Sequence, residues 1–401
     1  MRTTWGFESA GRIVFGWEAI RELAPRLQER KLRRAFIVAD RTLAGVGVVD
    51  AVVNPLRTAG LEAEAYLGGE PEPSIATAEA GIQAARIAAP DVIIGLGGGS
   101  NLDLSKLIAL CLTHGGRLQD YFGFGNVPGP LMPLVGVPTT AGTGSEVSHA
   151  AVLTDPDQHI KISTLSPYLR PMLAIVDPQL TVSCPKKPTA DSGMDALTHA
   201  VEAYTATSYR DMPIPAGERF PYEGKHPLGD LFAEEAFRLI GQHLIAATRE
   251  PDNREARTGM ALAATLAGLS FSNCGVALVH AMEYPVGGAV HVSHGEGNGL
   301  LLPYIMRFTL PKRVREFARI AELLGEDVRG LSEGEAAERA ITAVERLRGE
   351  SGLRSRLREL GVHRDDLRKF AEKAFAITRL MTLTPRPPTV SDILAVYDAA
   401  W

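Results

Sequence analysis

The sequence predicts an α/β fold, in which a parallel sheet with helices on both faces is followed by an all-helical region. Over the first half of the chain, short apolar runs rich in β-branched residues alternate with helical patterns. After about residue 187 the strand-like runs disappear, and apolar residues recur at helical spacing. We therefore predict an α/β domain at residues 1–187 and an all-α domain at residues 188–401.

The predicted strands are apolar runs that end at Gly, Pro or Asp, as is typical of strands buried on both faces. Helical patterns at residues 74–89 and 100–112 lie between them. Ligands of such a sheet bind at the carboxyl ends of the strands. The runs are residues 33–40, 62–68, 91–98, 131–138 and 173–178.

The second half begins after VSCPKKPTA (residues 182–190), a polar break that contains proline. Within it, residues 258–282 carry no formal charge and are long enough to span a bilayer. They are rich in Ala, Gly and Ser rather than Leu and Ile, and they contain His280. We predict a buried helix or helix pair there.

Composition excludes several classes of protein. The net charge of −5 argues against nucleic acid or an anionic membrane as the main partner. Three cysteines without a CxxC pair indicate a reducing compartment, the cytoplasm, and no thiolate zinc site. The first residues lack a continuous apolar run, so we expect no signal peptide.

Two loops at strand ends are candidates for binding phosphate. Glycines let a backbone approach a bulky anion, and a helix start directs free N–H groups at it. The alternative is an ordinary tight turn between strand and helix. A second loop, PTTAGTGS (residues 138–145), places four hydroxyls after the next long strand, which suggests an extended diphosphate. The first loop consists of Gly97, Gly98, Gly99 and Ser100.

Asp40 ends a predicted strand, where a carboxylate can accept hydrogen bonds from the ribose of a dinucleotide. It would also repel a 2′-phosphate, which favours NAD over NADP. Two alternatives stay open: Asp40 is only the N-cap of the next helix, or Arg41 accepts a 2′-phosphate.

Four residues form a candidate metal site. Asp195 and His199 are four apart and share a mostly apolar helix face, while His280 and His294 lie on either side of a glycine pair. Such a mixed nitrogen and oxygen set suits Fe²⁺ or Zn²⁺. By spacing alone, an Asp–His helix pair is also compatible with a purely structural role. We interpret His291 as a structural or substrate-side residue.

The irregular segment 208–229 contains three cations among aromatic residues. Cationic side chains can clamp a substrate carboxylate, which would favour hydroxyacids over neutral alcohols. The alternative is that the segment only packs its aromatics on the helical domain. The cations are Arg210, Arg219 and Lys225.

With these motifs in this order, the sequence resembles the iron-containing (group III) alcohol dehydrogenase family over essentially the whole chain. Six motifs in the same order carry the resemblance: residues 97–106, 138–148, 173–180, 192–204, 280–288 and 293–303.

The resemblance implies an NAD-dependent alcohol dehydrogenase that acts on a small alcohol, hydroxyacid or aldehyde. It implies a Rossmann-like domain and a helical domain, in the architecture shared with dehydroquinate synthase, with cofactor and metal in the cleft between them, and a homodimer. The implied metal ligands are Asp195, His199, His280 and His294. The implied cofactor residues are Asp40, Gly97, Gly98, Gly99, Ser100, Thr139, Thr140, Thr143 and Lys161.

One position departs from the family pattern. Many members have a second histidine four residues after the third ligand, often implicated in proton relay, and here that residue is Tyr284. We take Tyr284 as the candidate proton relay. The departure, with residues 220–240, resembles the hydroxyacid-oxoacid transhydrogenase branch, whose members pass hydride from 4-hydroxybutyrate to 2-oxoglutarate on bound NAD. A lyase of the dehydroquinate synthase type and a non-catalytic binding protein are further alternatives.

Overall fold

The computed structural model describes residues 2–155, 160–214 and 218–401, and these form two compact units. The α/β unit comprises Glu8–Cys184. The helical unit comprises Pro185–Trp401 together with the N-terminal segment that ends at Phe7. In this segment Trp5 stacks on the imidazole of His226, with ring centroids 4.3 Å apart.

In the described residues, the α/β unit is built on a sheet of six parallel strands in the order β1-β9-β6-β4-β2-β3. A smaller sheet, β5-β8-β7, contains an antiparallel pair, β7 and β8. The strands are β1 (Ile13–Phe15), β2 (Arg34–Val38), β3 (Glu62–Tyr66), β4 (Val92–Gly97), β5 (Gly123–Phe124), β6 (Leu134–Pro138), β7 (Ala150–Asp155), β8 (Ile160–Leu165) and β9 (Leu173–Val176).

All five predicted strands are present in the parallel sheet, as β2, β3, β4, β6 and β9. The sequence did not predict β1 or the smaller sheet. β1 has three half-buried residues and β5 has two residues, so neither carries a buried apolar run. β8, with the sequence IKISTL, mixes apolar and polar residues instead of running apolar throughout.

Helices cover both faces of the parallel sheet, which confirms the predicted layers. On one face Ile37 and Ile94 pack in a core with Leu56 of α3. On the other face Phe36 packs in a core with Ile108 of α5. The helices of this unit are α1 (Leu23–Glu29), α2 (Arg41–Gly45), α3 (Val48–Thr58), α4 (Ile75–Ala88) and α5 (Gly99–His114).

The described part of the helical unit contains helices and no strands, as predicted. Its central helix, α6, packs against α7, α8 and α10. The helices are α6 (Lys186–Thr205), α7 (Pro227–Arg249), α8 (Arg254–Cys274), α9 (Leu278–Val290), α10 (His294–Thr309), α11 (Val314–Leu323), α12 (Glu333–Glu350), α13 (Leu367–Phe375), α14 (Thr378–Leu383) and α15 (Val390–Ala400).

The uncharged stretch at residues 258–282 forms most of α8 and the start of α9, the predicted helix pair, and most of its residues are buried. Among the described residues, no single helix has both the length and the hydropathy needed to cross a membrane. Only α8 and α9 taken together reach that threshold, and they meet at an angle of 105°.

Candidate metal and cofactor sites

Three of the four predicted metal ligands come together in the helical unit. One ligand atom each from Asp195, His280 and His294 lie within 4.8 Å of one another. They come from three different helices, α6, α9 and α10. Asp195 and His280 are almost fully buried, and the side chain of His294 is 31% exposed, so the group is reached from one side.

Two buried carboxylates hold the imidazoles of this group. The Nδ1 of His280 lies 2.5 Å from Oε2 of Glu202, and the Nδ1 of His294 lies 2.6 Å from Oε2 of Glu283. Each imidazole therefore donates from Nδ1 and presents the lone pair of Nε2. Pairing of this kind fixes the tautomer and orientation of metal-ligating histidines.

The three ligand atoms surround one point, and the side-chain amide nitrogen of Asn298 lies close to all three of them. Its Nδ2 donates to Oδ1 of Asp195 at 2.8 Å and lies 3.3 Å from Nε2 of His280 and 3.1 Å from Nε2 of His294. Two neutral imidazole nitrogens and a carboxylate oxygen aimed at one point are a donor set that suits a divalent transition metal. The residues present therefore fit such an ion.

His199 lies beside this group and is not part of it. Its Nδ1 is 3.9 Å from Oδ2 of Asp195, and its ring stacks between those of Phe271 and His280, with centroids 4.1 and 4.9 Å away. Its role as the fourth ligand stays a prediction. Burial alone raises the pKa of Asp195, but the surrounding histidines, His199 first, and the Asn298 amide outweigh burial and lower it.

Tyr284 lies next to two of the candidate ligands. Its half-buried ring is 6.4 Å from the ring of His280 and 6.0 Å from that of His294. The residue thus occupies the neighbourhood expected of a proton relay, and the relay itself stays a prediction.

In the α/β unit, the two predicted phosphate loops begin side by side. β4 and β6 pair so that Gly97 lies opposite Pro138, and the N–H of Thr139 donates to the carbonyl of Gly97 at 3.0 Å. Close packing requires glycine at position 99, because a Cβ there would lie 2.8 Å from the methyl of Thr143. A Cβ on Gly98 would lie 3.4 Å from Oγ1 of Thr140, an ordinary van der Waals contact, so position 98 is less restricted.

A buried lysine of α5 is bonded to the threonine loop and to the residues that follow it. The Nζ of Lys106, from the helix that follows the glycines, donates to Oγ of Ser145 at 2.7 Å, Oγ of Ser148 at 3.1 Å and the carbonyl of Ala150 at 2.6 Å. Asp103 accepts from the Ser145 hydroxyl at 2.6 Å. Burial lowers the pKa of Lys106 to about 8. This network, which sequence analysis did not predict, holds the threonine loop against α5.

Asp40 is the N-cap of α2, which is one of the two alternatives to ribose binding that the sequence left open. One carboxylate oxygen accepts from the N–H of Leu43 at 2.9 Å. The other accepts from Nδ2 of Asn101, in the first turn of α5, at 2.8 Å. Capping does not exclude a ribose, because a carboxylate can accept about four hydrogen bonds. The link through Asn101 places Asp40 beside the glycine loop.

Two further predicted cofactor residues meet at Glu72, which the sequence did not indicate. The N–H of Glu72 donates to Oγ of Ser100 at 3.1 Å. Its carboxylate pairs with Nζ of Lys161 at 2.8 Å. The backbone of Glu72 has φ +50°, the left-handed region, so this loop holds a conformation that few residues adopt without support.

The described part of segment 208–229 favours the packing alternative; residues 215–217 lie outside the described residues. Tyr209 and Tyr222 are buried, and Tyr222 packs in a core with Phe220. Lys225 donates to Asp230 at 2.7 Å and lies 3.9 Å from the centroid of the Tyr204 ring. The prediction that Lys225 clamps a substrate is therefore not supported, because Lys225 contacts both Asp230 and the Tyr204 ring within the packed segment.

Helical spacing could have indicated some of the missed residues. Glu283 follows His280 by three positions, and Asn298 follows His294 by four, so each lies one helical turn from a candidate ligand. Glu202 similarly follows His199 by three. A carboxylate one turn from a ligand histidine is the pattern to look for.

The supporting carboxylates give a testable result. Replacing Glu202 or Glu283 with Gln is expected to lower the affinity for Zn²⁺ by roughly tenfold to a hundredfold, the usual effect of losing such a partner. The measurement is competition with a chelator of known affinity. Glu345→Gln, which alters an ion pair with Arg307 elsewhere in this unit, is the matched control. Equal affinities in all three variants and the wild type would rule out the role of the two carboxylates.

Most of the chain matches the sequence models of a known protein family. The model of a family described as iron-containing alcohol dehydrogenase matches residues 10–178. The model of the C-terminal region of the Fe-containing alcohol dehydrogenase family matches residues 189–401. The chain belongs to the iron-containing alcohol dehydrogenase family. The predicted resemblance is confirmed.

Individual family members are similar over nearly their whole length. An NAD-dependent methanol dehydrogenase of Bacillus methanolicus is 37% identical over 387 residues, covering 96% of this chain and 97% of that protein. The crystal structure of a 1,3-propanediol oxidoreductase has a TM-score of 0.93 and 36% identity, with 100% of both chains covered. The mitochondrial hydroxyacid-oxoacid transhydrogenase of Rattus norvegicus is 31% identical over 422 residues, covering 99% of this chain and 90% of that protein. These identities favour the dehydrogenases over the transhydrogenase branch.

Proposed function

We propose that the protein is a metal-dependent, NAD-linked dehydrogenase that moves hydride between a small alcohol or hydroxyacid and NAD, and reduces the carbonyl compound in reverse. The main support for this proposal is that ligand atoms of Asp195, His280 and His294 converge on one point in a chain of this family. The similarity to an NAD-dependent methanol dehydrogenase and a 1,3-propanediol oxidoreductase supports small alcohols as substrates.

Each proposed site has a defined task. A divalent cation, Fe²⁺ or Zn²⁺, supplies Lewis acidity that favours ionisation of a bound alcohol, and NAD supplies the hydride acceptor. Asp195, His280, His294 and, on the family resemblance, His199 hold the cation. The hydroxyl of Tyr284 carries the proton released by the alcohol, which its place beside the two imidazoles supports.

The α/β unit binds the cofactor in this proposal. The pyrophosphate lies against Gly97, Gly98, Gly99 and Ser100 at the start of α5, which has no side-chain cap, so N–H groups of its first turn can donate to the anion. Asp40 accepts from the adenosine ribose and favours NAD over NADP. Thr139, Thr140 and Thr143 line the diphosphate and nicotinamide side, and Lys161 reaches a ribose.

Cytoplasmic location and a homodimer complete the proposal. The first rests on the cysteine content and the second on the family resemblance. Light scattering of the purified protein tests the dimer directly.

The test of the function is a substrate screen. Purified protein loaded anaerobically with Fe²⁺, and separately with Zn²⁺, is mixed with NAD and one of methanol, 1-propanol, 1,3-propanediol or 4-hydroxybutyrate. We expect steady accumulation of NADH with at least one alcohol, and none after chelation of the metal. Accumulation that chelation leaves unchanged would contradict a metal-dependent dehydrogenase.

The second candidate is a transhydrogenase, which Tyr284 favours because that branch has a similar motif. It predicts exchange between 4-hydroxybutyrate and 2-oxoglutarate with little free NADH. Adding 2-oxoglutarate to the same screen and following both acids separates the two functions.

A further inference from the structure

Asn298 has an unusual set of neighbours for a buried amide. Its side chain is fully buried on α10, one turn after His294. Its Nδ2 lies within 3.3 Å of an acceptor atom on each of Asp195, His280 and His294. Two amide hydrogens are thus shared among three acceptors, and all three acceptors belong to the candidate metal site.

Within the described residues, the oxygen of the same amide accepts no hydrogen bond. Among the described residues, Oδ1 of Asn298 is buried and has no hydrogen-bond partner. A buried polar atom without a partner calls for an explanation, because most such atoms are satisfied. The amide is therefore oriented by the ligand atoms alone, and moving it breaks no bond on the oxygen side.

The nitrogen of Asn298 and a divalent cation need the same lone pairs. A histidine Nε2 whose Nδ1 donates to a carboxylate has a single lone pair, which serves either an N–H donor or a metal. The N–H groups also carry partial positive charge, so they repel a cation at short range. Both groups cannot hold His280 and His294 at the same time.

We propose that Asn298 competes with the metal for its ligands and thereby sets the metal affinity of the site. In metal-free protein its amide donates to the three ligand groups and keeps them together. When a cation takes the lone pairs of His280 and His294, Asn298 gives up those two contacts. This inference rests on the proposed metal site, and it adds that Asn298 lowers the affinity of that site for the cation.

The test is the effect of Zn²⁺ on thermal stability and the Kd for Zn²⁺ from competition with a chelator. In Asn298→Ala the metal-free protein loses the amide contacts, whereas the loaded protein has already given up two of them. We expect the Tm of the metal-free form to fall more than that of the loaded form. The Kd should fall by roughly tenfold, the equivalent of about one net hydrogen bond.

A second variant separates this role from the loss of packing. Asn298→Asp has the same shape, so it leaves no cavity, but it replaces the donor with an acceptor that attracts a cation. It should show a larger rise of Tm with Zn²⁺ than Asn298→Ala. The matched control is Asn273→Ala, which removes another buried amide of the helical unit, one that donates to the carbonyl of Leu269 at 2.8 Å. The control should lower both Tm values equally.

Each outcome decides the question. A rise of Tm with Zn²⁺ that is unchanged or smaller in Asn298→Ala overturns the proposal, whatever Asn298→Asp shows, because the added carboxylate attracts a cation by itself. Wild-type protein that binds no Zn²⁺ would overturn the metal site and the role of Asn298 with it. One equivalent of Zn²⁺ in the wild type, with the expected order of the variants, supports both.

Discussion

Replacing His280 with Ala is expected to remove the metal and nearly all of the activity. The change deletes one of the three lone pairs that converge in the helical unit and leaves Glu202 buried without the imidazole it accepts from. A metal contributes several kcal/mol of charge stabilisation in such reactions, so the rate should fall by about a thousandfold or more. Elemental analysis of the purified variant should give well under one metal per chain.

The control for His280→Ala is His363→Ala, which removes an exposed histidine far from the site along the chain. It should retain both metal and activity. If His280→Ala still carries one metal per chain after dialysis against chelator, the assignment of His280 as a ligand is wrong. A variant that keeps the wild-type Tm in its metal-free form but lacks metal would separate loss of a ligand from loss of fold.

The strands were predictable where the chain is buried on both faces. After Asp91, residues 92–98 form a continuous apolar run, as do residues 131–138, and every residue of β4 and β6 is buried. β1 is half-buried and too short to form a pattern, and β7 and β8 form a small sheet in which polar residues are interspersed. Burial on two faces leaves a strong signal in the sequence, and burial on one face leaves a weak one.

In the candidate metal site, too, some residues could be predicted from the sequence and others could not. Asp195, His280 and His294 were found because their motifs resemble a known family, and the structure brings them together. Glu202 was missed because it acts on a histidine of another helix. Spacing within a helix shows which residues share a face, but it does not show which two helices face each other.

The cofactor loops show the same limit. The glycines and threonines were recognised as loop residues at strand ends, which their composition reveals. Lys106 looked like an ordinary helix residue, and only the fold shows it buried among Ser145, Ser148 and the carbonyl of Ala150. A buried cation is costly unless it is paired, so its partners have to be known before a role can be assigned.

Replacing Asp40 is expected to change the choice between NAD and NADP. Asp40→Gly removes the carboxylate that we propose accepts from the ribose and repels a 2′-phosphate, and it leaves the exposed Arg41 next to that position. Hydrogen bonds to charged groups contribute about 1.5–3 kcal/mol, and each 1.4 kcal/mol is about tenfold. The ratio of kcat/KM for NADP to that for NAD should therefore rise by roughly tenfold to a hundredfold.

A second variant separates cofactor choice from capping, because Asp40 also caps α2 and accepts from Asn101. Asp40→Ser keeps a good capping group, since serine caps helices about as well as aspartate, but it removes the charge. It should therefore show the same change of cofactor ratio with a smaller loss of Tm than Asp40→Gly, although both variants lose the bond from Asn101. Asp50→Ser, which removes an exposed carboxylate from α3 of the same unit, should leave the ratio unchanged. An unchanged ratio in both Asp40 variants would confine Asp40 to its structural contacts, and discrimination against the 2′-phosphate would then have to come from another residue.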